Sequence, residues 1–206
     1  MHKFLEVLTN KEKKVFEKLN SPQKIQDFLE SLPINFEKNG DTLMSPRMVL
    51  QNRKAQCIEG AIFAAGVLWY HGEPPILLDL VTHHHDDSHV VTLFRRNGLW
   101  GSISKTNHAV LRYRDAVYES PRELAMSYFH EYFLDSGKKT MRSFALYDLR
   151  KVKRNWVTDE KDLWYINKAL DKTKHVTIVS EKEAKKLRKA DPIERKAGKL
   201  TVRKKK

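Results

Sequence analysis

Along the first third of the chain, apolar residues recur three and four positions apart, the spacing of one face of a helix. Val15, Phe16 and Leu19 follow Thr9-Asn10-Lys11-Glu12, which fits a capping box. Ile25, Phe28, Leu29 and Leu32 follow Ser21-Pro22, a cap with proline in the first turn, and Pro33 ends that helix. Asn39-Gly40-Asp41 marks a turn, and Ser45-Pro46 opens a short helix through Leu50. Residues Ala55 to Tyr70 form the most apolar stretch, with Gly60, Ala61, Ala64, Ala65 and Gly66 set among large side chains. Such a helix is buried nearly all round. Gly72 is placed to stop it.

Beyond Pro74-Pro75 the period changes to two. Ile76–Thr82 and Val90–Phe94 read as strands, and Asn97-Gly98 is a type I′ hairpin signal that returns Leu99–Ser104 as a third. Ser120-Pro121-Arg122-Glu123 caps a helix to about Phe133. Ser143–Tyr147 is a further strand, Thr158-Asp159-Glu160 opens a helix to about Leu170, and His175–Val179 is a last strand. Helices come first, then strands, then both, which predicts an α+β fold rather than alternating βαβ units.

Composition narrows the classes. The chain has 206 residues, 40% hydrophobic and 32% charged, enough for one sizeable core. No apolar run approaches the roughly 20 residues of a membrane span, and Met1–Glu6 turns polar too soon for a secretory signal. The lone Cys57 excludes an internal disulfide and any multi-cysteine zinc site. The expected setting is the reducing cytoplasm, with no membrane partner. Net charge is +13, but residues 181–206 carry 12 Lys/Arg against 4 Asp/Glu and so hold most of the excess. The expected organisation is one domain over residues 1–180 and a basic, partly disordered tail over 181–206.

Cys57 begins the buried helix and His89 begins a strand. Unpaired amides at a helix start favour a thiolate, and a nearby imidazole can hold the proton and return it to a leaving amine. The run Gln56-Cys57-Ile58-Glu59-Gly60-Ala61, then Asp87-Ser88-His89-Val90-Val91 and a hairpin ending in Leu99-Trp100, resembles the transglutaminase-like core. The resemblance spans residues 45–108. It implies a papain-like cysteine fold, with the Cys-bearing helix packed on a small antiparallel sheet beside extra helices. It further implies thiol-dependent acyl transfer or hydrolysis on a peptide or amide carbonyl, with Cys57 as nucleophile and His89 as base and then acid. Gln56 and Trp100 correspond to site-supporting positions. No cofactor is implied.

Where the family usually has its Asp, counting from Trp100, this chain has Ser104. The hairpin register pairs Arg96 with Leu99, Val91 with Ser104 and His89 with Thr106, so Ser104 is a diagonal neighbour of His89. Asn107 falls on the opposite face. Ser104 can orient the imidazole without a carboxylate's charge, and Asp79, Asp86 or Asp87 are alternative acids. The other reading is a catalytically inactive binding module whose tail contacts nucleic acid or an acidic partner by counterion release. The tail holds no Phe, Trp or Tyr to stack on bases. His83-His84-His85-Asp86-Asp87 offers metal-ligand chemistry. Adjacent residues are not expected to face one centre, so no metal site is assigned. Tyr128–Phe133 reads as core.

Overall fold

A computed structural model describes residues 3–37 and 40–202. The expected turn residue Asn39, the first two residues and the basic run 203–206 lie outside the described residues. Helices α1 (Lys3–Glu6), α2 (Asn10–Lys18), α3 (Pro22–Ser31), α4 (Pro46–Asn52) and α5 (Cys57–Tyr70) precede strands β1 (Ile76–Thr82), β2 (His89–Arg96), β3 (Leu99–Ile103) and β4 (Arg114–Tyr118). Then come α6 (Pro121–Tyr128), β5 (Met141–Asp148), α7 (Trp164–Asp171), β6 (Val176–Thr177), α8 (Glu181–Ala184) and α9 (Pro192–Gly198). The fold is α+β.

The early helices start where their caps place them. The Glu12 amide donates to Thr9 Oγ1 at 3.2 Å, and the Thr9 amide donates to the Glu12 carboxylate at 2.7 Å. Ser21, Ser45 and Ser120 each accept from the amide three residues on. These bonds satisfy donors that the first helical turn leaves without partners.

The strands form one antiparallel sheet in the order β4-β3-β2-β1-β5-β6. Arg96 pairs with Leu99 across Asn97-Gly98, and the ladder runs to Thr92 opposite Ile103, the register read from the turn. Both turn residues have positive φ, 53° and 84°, as a type I′ turn requires. Alternation divides the sheet into two faces. Leu77, Val90, Phe94 and Ile103 pack with α5 and the N-terminal helices. Leu78, Leu80, Val91 and Leu93 pack with Leu124, Tyr128 and Tyr132. Thr92 Oγ1 donates to the Ala61 carbonyl and ties β2 to α5.

Three elements depart from expectation. The helix expected from Thr158 begins only at Trp164, because the intervening chain is engaged elsewhere. Ser45 Oγ donates to the Asp159 carbonyl at 2.6 Å, and Leu43 pairs through its amide with Asp162 Oδ1 and through its carbonyl with the Leu163 amide. Strand β4 was not anticipated: it is a short edge strand whose register shifts between Trp100 and Ser102. The expected strand His175–Val179 shrinks to β6.

Over its described part, residues 181–202, the basic tail is bonded to the body of the chain. The Ala190 amide donates to the Gly137 carbonyl at 2.8 Å, the Ala109 amide donates to the Leu200 carbonyl at 2.9 Å, and the Val202 amide donates to the Asn107 carbonyl at 2.8 Å. Gly137 has φ +82°, and a Cβ there would come within 2.6 Å of the Ala190 carbonyl. Among the described residues, no helix is long and apolar enough to cross a membrane.

Candidate functional site

Cys57 is the first residue of α5, and the start of that helix is built around a carboxylate. Glu59 is fully buried inside the most apolar helix of the chain. It accepts from the Gln56 amide (2.8 Å), the Met44 amide (3.0 Å) and Thr42 Oγ1 (2.7 Å), with Asn35 Nδ2 at 3.3 Å. Charge-assisted bonds of this kind offset the desolvation of a buried carboxylate. Gln56 does not turn its amide to the thiol. Its Nε2 donates to Glu37 Oε1 and to the Thr42 carbonyl, both at 2.8 Å, so its support of the site is to fasten the loop beside Cys57.

The backbone amides of Val90 and Ile58 lie close enough to the sulfur to favour its charged form. The first of these places it against the peptide that follows His89. Burial nonetheless dominates the helix-start effect and pushes the Cys57 thiol up to about 11. Burial likewise pushes His89 down to about 4, and the neighbouring His108 adds to the shift. The expected lowering of the thiol is thus reversed. At pH 7 the resting pair is a neutral thiol and a neutral imidazole.

His89 is 5% exposed and Ser104 is 1% exposed. His89 Nε2 lies 2.8 Å from Ser104 Oγ, the diagonal contact expected from the register. Ser104 has one hydroxyl hydrogen, and it donates that to the Leu111 carbonyl at 2.5 Å. Oγ therefore accepts from Nε2–H, which leaves Nδ1 as the imidazole nitrogen with a free lone pair. Gln26 of α3 holds Ser104 from behind: the Ser104 amide donates to its Oε1 at 2.9 Å, and its Nε2 donates to the Ser104 carbonyl at 2.8 Å.

Leu111 has φ +60°, a left-handed conformation that a leucine rarely adopts. It is fixed at both ends. Its amide donates to Glu131 Oε2 at 2.6 Å, and Arg114 donates to Glu131 Oε1 at 2.6 Å. A relay from Arg114 through Glu131, Leu111 and Ser104 thus reaches the imidazole. Two of the three alternative acids are engaged with other groups, and Asp87 is exposed on the cleft rim. Asp79 pairs with His175 at 3.1 Å, and burial raises its pKa. Asp86 accepts from Thr140 and from the Asp87 amide.

Cys57 lies where two clefts meet, each of about 590 Å³. One is lined by His89, Asp86, Asp87, Lys105, Tyr132 and the tail residue Arg195. The other carries Glu37, Asp41, Asp79 and Asp171, with the exposed Trp164 beside them. Gln56 and Ser88 border both. Tyr132 is 2% exposed, and its hydroxyl has no hydrogen-bond partner. The segment Tyr128–Phe133, read as core, therefore also contributes a polar group to the cleft wall. Trp100 does not join the site. It packs against the second core, with the Arg95 guanidinium 5.0 Å from its ring centroid.

Lys105 was not singled out in the sequence. It is buried, and its Nζ donates to the Leu29 and Leu32 carbonyls at 2.7 and 2.6 Å, closing the C-terminal end of α3. Glu59, Gln26, Leu111 and Glu131 were likewise missed, because their partners lie far away in sequence. Only Glu59, three residues after Gln56, carried a local signal, that of a capping box. The chain matches no protein-family model and no curated protein.

Proposed function

We propose that this protein is a thiol-dependent acyl-transfer enzyme or hydrolase acting on an amide or peptide carbonyl, with a transglutaminase-like, papain-like core. The observation that carries the reading is one cleft lined both by Cys57, at a helix start, and by His89, whose Nε2 is held by Ser104. The free lone pair of Nδ1 is then the proton acceptor. Because the resting pair is neutral, proton transfer from sulfur to Nδ1 accompanies attack of sulfur on the carbonyl carbon. The Cys57 backbone amide, at the start of α5, and the Tyr132 hydroxyl are the donors for the oxygen that gains charge. Collapse breaks the C–N bond, and the Nδ1 proton goes to the leaving amine. The thioester passes to water or to a second amine, which restores the thiol.

The test is turnover of a library of fluorogenic peptide amides by the full chain, with mass spectrometry for an acyl adduct on Cys57. Cys57→Ala is expected to abolish both turnover and adduct. His89→Ala is expected to lower the rate by about 10² to 10⁴-fold, the usual contribution of a general base. Turnover that survives Cys57→Ala would sink the assignment.

A second reading draws on the thiol near 11 and the imidazole near 4, which suit a silent site. There the same clefts bind a partner without reacting, as does the cationic surface of Lys185, Lys186, Arg188 and Lys189. Its signature is the absence of any adduct, with salt-sensitive binding to nucleic acid or to an acidic protein. Loss of that binding on charge reversal at those four residues would separate it from the first.

A further inference from the structure

The loop between β1 and β2 holds His83, His84 and His85, which the thiol chemistry leaves unused. Along an extended strand, neighbouring side chains point to opposite faces, so three adjacent imidazoles would diverge. Here the backbone turns instead. The His83 amide donates to the Thr140 carbonyl at 2.8 Å, the Asp86 amide donates to the His83 carbonyl at 2.9 Å, and Thr82 Oγ1 donates to the Asp86 carbonyl at 2.7 Å. The three rings converge as a result, contrary to the expectation from their adjacency. Ring centroids of His83 and His84, and of His84 and His85, are 3.9 Å apart, and one nitrogen from each of the three lies within 4.8 Å of the others.

Two further observations point to a ligand. His83 Nδ1 is buried and has no hydrogen-bond partner. Glu181 Oε2, from the first residue of α8, lies 4.0 Å from His83 Nε2 at the edge of the cluster, while its Oε1 accepts from Arg142 at 2.8 Å. His84 and His85 are exposed, so an ion can reach the cluster from solvent. Nitrogen ligands at zinc bond lengths sit about 3.4 Å apart, a distance that small ring rotations of the two exposed histidines would reach. Three imidazoles select against Mg²⁺ and Ca²⁺, which require oxygen ligands.

We infer that His83, His84 and His85 form a binding site for a late first-row divalent ion of the Zn²⁺, Ni²⁺ or Cu²⁺ class. This does not rest on the acyl-transfer reading, and its test needs no turnover. Untagged full-length protein, stripped with chelator and dialysed, is titrated calorimetrically with ZnCl₂ and separately with NiCl₂. One ion per chain is expected, bound at least about tenfold more weakly by His84→Ala and by His85→Ala, in keeping with the loss of one ligand. His130→Ala, at an exposed histidine away from the loop, is expected to bind as wild type does. Added Cu²⁺ should show nitrogen hyperfine structure in its electron paramagnetic resonance spectrum. A synthetic peptide of residues 80–90 should bind at least about tenfold more weakly than the folded chain. No binding, binding unchanged in both loop variants, binding lost in Cys57→Ser, or a peptide as tight as the protein would each overturn the site.

Discussion

The sulfur and the imidazole of the candidate site are held by opposite means. Cys57 stands on a helix whose first turn is gathered round one buried carboxylate, Glu59, with donors from residues 35, 42, 44 and 56. No residue of that turn has a positive φ. His89 is held by a serine that is itself held by a leucine in a left-handed conformation, with Gln26 and Glu131 bracing the two from either side. The first wall is concentrated in one buried carboxylate, and the second is distributed along a chain of bonds that ends in the Glu131–Arg114 pair. Damage to the first should therefore be large and global, and damage to the second graded and local.

The largest effect is expected for Glu59→Ala. It removes a buried carboxylate and leaves the Gln56 and Met44 amides and Thr42 Oγ1 without their acceptor. Leaving buried donors without an acceptor costs about 1–3 kcal/mol each, so the loss sums to several kcal/mol. Urea unfolding should show a loss of that order, and Glu59→Gln, which keeps one acceptor oxygen, a smaller one. A loss below about 1 kcal/mol would mean that the thiol wall is not concentrated in Glu59.

Next comes the pH dependence of the imidazole wall. The folded protein holds His89 near 4 against 6.5 for an ordinary histidine. The unfolded chain thus binds this proton more readily. The contribution is fully present above about pH 6.5 and is lost as pH falls towards about 4. It amounts to as much as about 3 kcal/mol at roughly 1.4 kcal/mol per unit. Unfolding free energies measured at pH 7 and pH 4.5 should differ less in His89→Gln than in wild type. Equal differences would place the titrating group elsewhere.

How much of this was legible in the sequence follows the same division. Helix starts at Thr9, Ser21 and Ser120 announce themselves because cap and partner lie three residues apart. The Asn97-Gly98 turn fixes the β2–β3 register, and through it the Ser104–His89 contact. Gln26 reaches Ser104 across 78 positions, and no local pattern announces such a pairing. Burial was hidden too. Cys57 is half-buried, and the desolvation that outweighs its helix start comes in part from packing against β2, which lies far away in sequence. The tail follows the same rule: its charge is visible in the sequence, but its backbone bonds to residues 107–109 and 137 are not.

A smaller effect is expected at Ser104. Ser104→Ala removes the acceptor of the Nε2 hydrogen and should cost about 1–3 kcal/mol, the range for leaving a buried donor unsatisfied. Ser104→Asp places an opposite charge beside the imidazole and should raise the His89 pKa by about 1–3 units. A titration of the His89 ring protons by nuclear magnetic resonance reads this directly. An unchanged titration in Ser104→Asp would show that burial alone governs the imidazole.

The smallest effect separates strain from packing at Leu111. A left-handed backbone costs an ordinary residue about 1–2 kcal/mol and costs glycine almost nothing. Leu111→Gly therefore relieves strain while losing the contacts that Leu111 makes with the second core, and the two terms nearly cancel. Its stability should stay within about 1 kcal/mol of wild type. Leu111→Val keeps an apolar side chain, but its branched Cβ suits φ +60° worse than leucine does. It should be less stable than Leu111→Gly by about 1 kcal/mol or more, with the Ser104–Leu111 bond weakened and His89 displaced with it. If valine were tolerated as well as glycine, the carbonyl of residue 111 would not depend on the left-handed conformation. The relay from Glu131 to the imidazole would then have to be carried by the backbone on either side.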